Sequence, residues 1–177
     1  MVYSKGVLHM EYWDAYDQTV TKTGETLIRG QAIPPGRFHL VVEAIIQSKD
    51  GSILFMKRDA NKPIYPNYYE ASAGGSVLKG EESLAAIKRE IFEETGLSIS
   101  NITFLGETIK PTEYSIYHNY HATYSGNKES VKLQKNETTH FQWVSLDHLE
   151  SFLKNHLIIA KQKKLINHYL QTKQWRL

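Results

Sequence analysis

Glu90, Glu93 and Glu94 stand at i, i+3 and i+4 within SLAAIKREIFEET, a run that reads as a helix, so their carboxylates converge on one face. Ser83 sits where an N-cap belongs, and Leu84, Ile87 and Ile91 recur at the spacing of a core-facing stripe. Gly96 supplies a C-terminal stop. Like charges so spaced cost a helix about 0.2–0.5 kcal/mol per pair. The nearby helix C-terminus disfavours negative charge further. Two arrangements resolve the conflict. One is a solvated acidic face with Lys88 and Arg89 as local partners; the other is a hard divalent cation such as Mg²⁺, which prefers carboxylate oxygens. A cation there could act as a Lewis acid and lower the pKa of bound water.

The elements around this helix must bring backbone and cations to it. Gly74, Gly75 and Gly80 mark a flexible loop before it, fed by a short strand over 70–73. Upstream, residues 11–31 read as two short strands around a polar turn at Gly24, with Trp13, Tyr16, Leu27 and Ile28 buried. The apolar runs 40–46 and 53–57 are joined by SKDGS, an Asp-Gly hairpin signal. Residues 57–70 then hold Lys57, Arg58 and Lys62 ahead of a Pro-containing turn with Tyr65, Tyr68 and Tyr69. Such a loop can offer cations to phosphates and an aromatic face to a base, or it can be a turn whose tyrosines pack. Downstream, strands are expected over 102–109, 114–124 and 138–144, with a polar, mobile loop over 125–137. Ser145 reads as the cap of a helix carrying Leu146, Leu149, Phe152 and Leu153. A last helix over 158–174 has Ile159, Leu165, Ile166, Tyr169 and Leu170 as its apolar side.

The stretch from Gly75 to Leu97 resembles the Nudix box, G-x5-E-x7-R-E-U-x-E-E-x-G-U with U aliphatic. It matches at Gly75, Glu81, Arg89, Glu90, Ile91, Glu93, Glu94, Gly96 and Leu97. The resemblance implies an α/β fold, the Nudix α/β/α sandwich with a mixed β-sheet, carrying an N-terminal β-hairpin extension and C-terminal helices. It also implies a hydrolase of diphosphate linkages, usually in a nucleoside diphosphate joined to another group, working with Mg²⁺ and with Mn²⁺ as substitute. Glu90, Glu93, Glu94 and the carbonyl of Gly75 are then the metal ligands, Arg89 orients the neighbouring glutamate, and Glu81 is a supporting residue. Glu90 is the first choice of general base. Glu137 is the candidate from outside the box, set against a plain reading in which it starts a strand with its side chain in water. Arg58, Lys57 and Tyr65 are the substrate-binding candidates, and the loops 58–70, 111–115 and 125–137 would set specificity.

Further segments are similar to the isopentenyl-diphosphate-isomerase-like branch of that family. They are Trp13, Asp14, Asp17, Thr23, Gly24, Arg29 and Gly30, the FHL of residues 38–40, and KRDANK over 57–62. Structural roles are expected for the first group. Isomerisation itself is rejected. It needs a cysteine directly before the first box glycine and a histidine directly after it, where this chain has Gly74 and Ser76 and no cysteine anywhere. His39 is expected to be a strand residue with a local partner. A Nudix fold acting only as ligand sensor or protein-binding module is the reading from another class, and the intact REIFEE run favours an enzyme.

Composition sets the outer bounds. With 177 residues the chain suits one Nudix unit over 1–177, its residues 1–36 forming the hairpin extension and 75–97 the box. A net charge of +2 makes no electrostatic case for nucleic acid. The absence of cysteine excludes disulfides, zinc-thiolate sites and thiol nucleophiles. Mixed polar and aromatic residues at 1–17 read as neither signal peptide nor membrane span, which makes a cytoplasmic enzyme the default; the small-molecule diphosphate substrate is what the resemblance implies. The hairpin and the last helix offer surfaces for a homodimer.

Overall fold

The ten residues HLVVEAIIQS form the central strand because they can be buried on both sides, as a parallel-sheet strand must be. A computed structural model describes residues 10–174; the expectation for the extreme N-terminus therefore lies in part outside the described residues. In chain order the strands are β1 (Tyr12–Tyr16), β2 (Lys22–Ile28), β3 (His39–Ser48), β4 (Ile53–Arg58), β5 (Tyr69–Glu70), β6 (Ser72–Ser76), β7 (Asn101–Lys110), β8 (Ser115–Tyr124) and β9 (Thr138–Val144). The helices are α1 (Ser83–Thr95), α2 (Leu146–Asn155) and α3 (Ala160–Gln174).

β3 runs parallel to β8 and antiparallel to β6, and its end meets β4 at Gln47–Ile53. β4 also pairs with β5 and β9, and β8 with β7, which completes a mixed seven-stranded sheet. Alternation along β3 separates two cores. Leu40, Val42, Ala44 and Ile46 join Ala86, Ile87 and Ile91 of α1 on one face. Ile45, with Ile53 and Phe55, joins Leu149 and Phe152 of α2 and Ile166 and Tyr169 of α3 on the other. This is the α/β/α layering expected from the resemblance. Among the described residues no helix is long and apolar enough to cross a membrane.

β1 and β2 form their own two-stranded sheet, docked onto the body by reciprocal 2.9 Å backbone bonds between Tyr16 and Phe38. Trp13 stacks on His39 at 4.4 Å, and the ring of His39 also meets the carbonyl of Tyr114. The turn of this hairpin is not at Gly24, which lies inside β2 at φ 84°. It spans 17–21, where Asp17 accepts the amides of Thr19 and Thr21 and so supplies the turn itself.

Other local differences have equally specific causes. Glu82, not Ser83, is the N-cap of α1, because the Ser83 hydroxyl is taken by His118 Nδ1 (2.8 Å) and the hydroxyl of Tyr120 (2.6 Å). Leu84 is exposed, and the small Ala86 faces the sheet in its place. The segment 125–137 is pinned rather than free. Val131 is buried, Lys132 N–H donates to Thr95, and the indole of Trp143 donates to the carbonyl of Lys128. The last helix begins at Ala160, two residues late, since Leu157 and Ile159 are held by backbone bonds to Tyr69.

Gly74 and Gly75 belong to a strand, β6, and not to a loop. The reason is steric. A β-carbon on Gly74 would stand 2.2 Å from the carbonyl oxygen of Val42, inside the β3–β6 ladder. Replacing Gly74 by Ala must push the two backbones apart, an overpacking cost of about 1–3 kcal/mol. The G74A variant should therefore melt roughly 5–10 °C below the parent in a thermal-unfolding experiment; an unchanged Tm would show that β6 can step away freely.

Candidate active site

Arg89 ties the site together. Its Nε and Nη2 donate to the two carboxylate oxygens of Glu81, each at 2.9 Å, and Nη2 reaches the carbonyl of Ser76. Its Nη1 donates to Glu90 at 2.6 Å and lies 3.4 Å from Glu93. Glu81 also accepts the amide of Leu78, so the turn before α1 is locked to the helix. Burial works against the Glu81 charge, but the bonds from Arg89 and Leu78 hold its carboxyl below the usual range. Those from Glu81 and Glu90 outweigh burial to raise the affinity of Arg89 for its proton further.

Glu90 is pressed against β6. A β-carbon on Gly75 would fall 2.4 Å from Glu90 Oε1, so only glycine leaves room for the carboxylate beside that backbone. Burial pushes the Glu90 carboxyl up despite Arg89, and the charges of Glu93 and Glu11 push it further. Glu94, one turn on, accepts the amide of Gly74 at 3.3 Å. Burial, then the charges of Glu70 and Glu90, drive its carboxyl well above the ordinary value of 4.5. Glu93 stands at the rim, its side chain about half exposed. The three carboxylates of α1 are thus unequal: two are turned in and one is turned out.

Beside Glu94 lies a cavity of about 190 Å³ whose lining includes Glu43, Glu70, Gly74, Gly75, Glu94 and Lys161; Arg58, Lys57, Tyr65 and Glu137 are not among its lining residues. Arg58 donates to the carbonyl of Ile64 and to Glu70 at 3.1 Å; it braces the 59–70 loop and offers no free guanidinium. Lys57 stands 5.9 Å from the centre of the Tyr69 ring, and Tyr65 is exposed at φ 52° beside Tyr68. Glu137 directly precedes β9, pairs with Lys62, and receives the amide of Asp59 on its carbonyl. Its charge reaches the cavity nonetheless, contributing to the raised carboxyls of Glu70 and Glu94. Three residues that motif reading does not single out, Glu70, Glu43 and Lys161, share this space. Glu70 sits in a strand pattern that reads as structural, and neither Glu43 nor Lys161 lies in a motif.

The donor set suits a hard divalent cation. Glu90, Glu94 and the Gly75 backbone offer oxygen only, and the carboxyls repel one another when ionised. Among the described residues no three acidic or histidine side chains are gathered around a single point.

Comparison with known proteins agrees with this geometry. Residues 37–168 match the NUDIX domain family model. An uncharacterised Nudix hydrolase of Listeria monocytogenes is 35% identical over 146 residues, spanning 80% of this chain and 84% of that protein. DR0079 from Deinococcus radiodurans superposes with a TM-score of 0.69 at 20% identity, covering 89% of this chain and 98% of its own. The NUDIX domain of Shewanella oneidensis NrtR, solved with ADP ribose, gives 0.59 at 17% identity over 76% and 88%. At those identities the two structures speak to the fold alone. With its family model, its relative and its fold in agreement, the chain belongs to the Nudix hydrolases, enzymes that cleave pyrophosphate bonds in nucleoside diphosphate derivatives.

Proposed function

We propose that this enzyme uses Mg²⁺, with Mn²⁺ as substitute, to hydrolyse the diphosphate bond of a nucleoside diphosphate joined to a second group. One observation carries the proposal. Among the described residues the Glu94 carboxyl has a single hydrogen bond, from Gly74 N–H, and no ion pair, although two other carboxylates crowd it. Such a group calls for a cation. Glu90, Glu93, Glu94 and the Gly75 carbonyl would hold it, and when bound it supplies charge neutralisation on the phosphoryl oxygens and a more acidic water.

The chain's own residues do the rest. Glu81 fixes Arg89, and Arg89 fixes Glu90, so the carboxylate cannot swing away from β6. Glu90 takes the proton of the attacking water; the new bond forms at phosphorus, and the bridging oxygen leaves with its electron pair on the departing phosphate. A base so placed is strengthened by burial, which favours its protonated form. Glu137, which pairs with Lys62, is the second candidate base. Lys57 and Tyr65 would meet the organic part of the substrate, while Arg58 shapes the loop between them. The absent cysteine and the Gly74–Gly75–Ser76 backbone leave no isomerase chemistry, whatever the branch resemblance of the hairpin.

A Mg²⁺-dependent phosphate-release screen over nucleotide sugars, dinucleoside polyphosphates, nucleoside triphosphates and prenyl diphosphates tests this. Turnover of one class is expected, with Glu94→Gln reducing kcat at least about 100-fold at an unchanged circular-dichroism spectrum. Near-normal activity would remove Glu94 from the metal site. Glu137→Gln should cost less than about tenfold in kcat; a loss of about 100-fold or more would move the base to Glu137.

The raised carboxyls also set a pH dependence. A carboxyl whose folded pKa lies above its unfolded value stabilises the fold fully below the unfolded value of 4.5, and loses that contribution as pH rises through the folded value. Relative to Glu94→Gln, the metal-free protein should therefore lose thermal stability as the pH rises above 4.5 and through the folded value of Glu94. Added Mg²⁺ competes with the same protons, so its stabilising shift in Tm should grow over that window. A shift that does not depend on pH would place the ion elsewhere.

A further inference from the structure

The cavity beside Glu94 is small. At about 190 Å³ it falls below the roughly 300–1,000 Å³ of pockets that enclose whole small molecules, and suits a pair of phosphates better than a nucleoside. Its lining carries three carboxylates, Glu43, Glu70 and Glu94, and one cation, Lys161 of α3. Lys161 pairs with Glu43 of β3, and its ammonium stands 3.7 Å from the centre of the Tyr117 ring. That ring is fixed in turn. Its hydroxyl donates to Glu113 at 2.7 Å, and Lys110 lies 4.5 Å from its centre.

The Lys161 side chain is 35% exposed and that of Glu43 11%, so the ammonium is held at the cavity while part of the side chain stays open to solvent. An ion pair so open adds little to stability, which invites a functional account. A diphosphate substrate provides one. A cation at Glu90 and Glu94 would neutralise oxygens at the α1 side of the cavity, which leaves the other phosphate without a positive partner unless the chain supplies it. Of the described residues lining the cavity, only Lys161 can.

We propose that Lys161 is the substrate-binding residue for the phosphate farther from the metal, and that Glu43 and Tyr117 hold its ammonium ready in the cavity until the phosphate arrives. α3 is then a working wall of the site and not only a cover for the sheet. The inference rests on the diphosphate-hydrolase reading above, but it can fail without it. Glu43 competes with the phosphate for the ammonium, so the two members of the pair should act in opposite directions on affinity.

The test is calorimetric titration of the full chain with imidodiphosphate, a diphosphate whose bridge is not hydrolysed, in the presence of Mg²⁺. Lys161→Met should weaken binding about tenfold or more, the usual worth of a charge-assisted hydrogen bond. Lys161→Arg should restore binding to within about threefold, since it keeps the charge. Glu43→Gln should tighten binding, because it frees the ammonium; the arginine and glutamine variants also carry the test if the methionine variant does not fold. Equal affinity of Lys161→Met and the parent would overturn the inference and leave the hydrolase reading intact. Weakening by both Lys161→Met and Glu43→Gln would overturn it as well, because a purely structural pair predicts the same sign for both. A parent protein that neither binds imidodiphosphate nor hydrolyses any diphosphate would overturn the underlying reading and this inference with it.

Discussion

The carboxylate of Glu90 occupies the space where a side chain on Gly75 would stand. Much of the site follows from that contact. For the Glu90 carboxylate to rest there, β6 must be bare at Gly75; for β6 to pair with β3, it must be bare at Gly74, where a β-carbon would strike the Val42 carbonyl. Two successive glycines in a strand are costly by themselves, since each gives up backbone freedom without adding buried surface. Here the sheet tolerates them because β3 and α1 supply the packing on either side. The result is a strand backbone, two carboxylates and a cavity within reach of one another.

Charge is distributed around this contact with a clear inequality. Arg89 answers Glu81 and Glu90, Arg58 answers Glu70, and Lys161 answers Glu43. Among the described residues Glu94 receives only a backbone amide. A site built for stability alone would spread its cations more evenly, because an uncompensated carboxyl in a crowded place is expensive. A deficit concentrated at one group is what the proposed metal role of Glu94 requires. Burial first, and the neighbouring carboxylates after it, make the inward carboxyls favour their protons, and a metal ion would compete with those protons.

Sequence alone shows the part of this that is local. Residues 75–97 are contiguous, and the helix, its glycine stop and its carboxylate spacing follow from i, i+3 and i+4 geometry without any tertiary information. β9 is legible to the residue, and β3 and β4 nearly so, because alternating or continuous apolar runs end in polar turns. What does not show depends on partners far away in the chain. Lys161 and Glu43 are 118 residues apart, and only the parallel pairing of β3 with β8 and the return of α3 bring them into one cavity. Arg58 looks like a phosphate ligand until the loop after it folds back and presents Ile64 and Glu70 to its guanidinium. Ser83 looks like a cap until Tyr120 and His118 arrive from another strand to claim its hydroxyl. In each case a side chain with two valid local uses is assigned by tertiary contact.

The hairpin extension shows how far the site's influence extends. Trp13 covers one face of His39, and burial depresses the affinity of that imidazole for protons, so His39 is a packed strand residue. The Trp13 indole also donates to Glu11, which pairs with Arg29 across β1 and β2. Burial opposes the charge of Glu11, but these bonds hold it in its ionised form, and its field adds to those that raise the Glu90 carboxyl. A fixed negative charge is thereby kept near the proposed base by a sheet that supplies no ligand of its own. The residues that make the hairpin resemble a family marker, Trp13 and Arg29 among them, therefore hold Glu11 in position. Their structural role and the chemistry of the box meet in the basicity of one carboxylate.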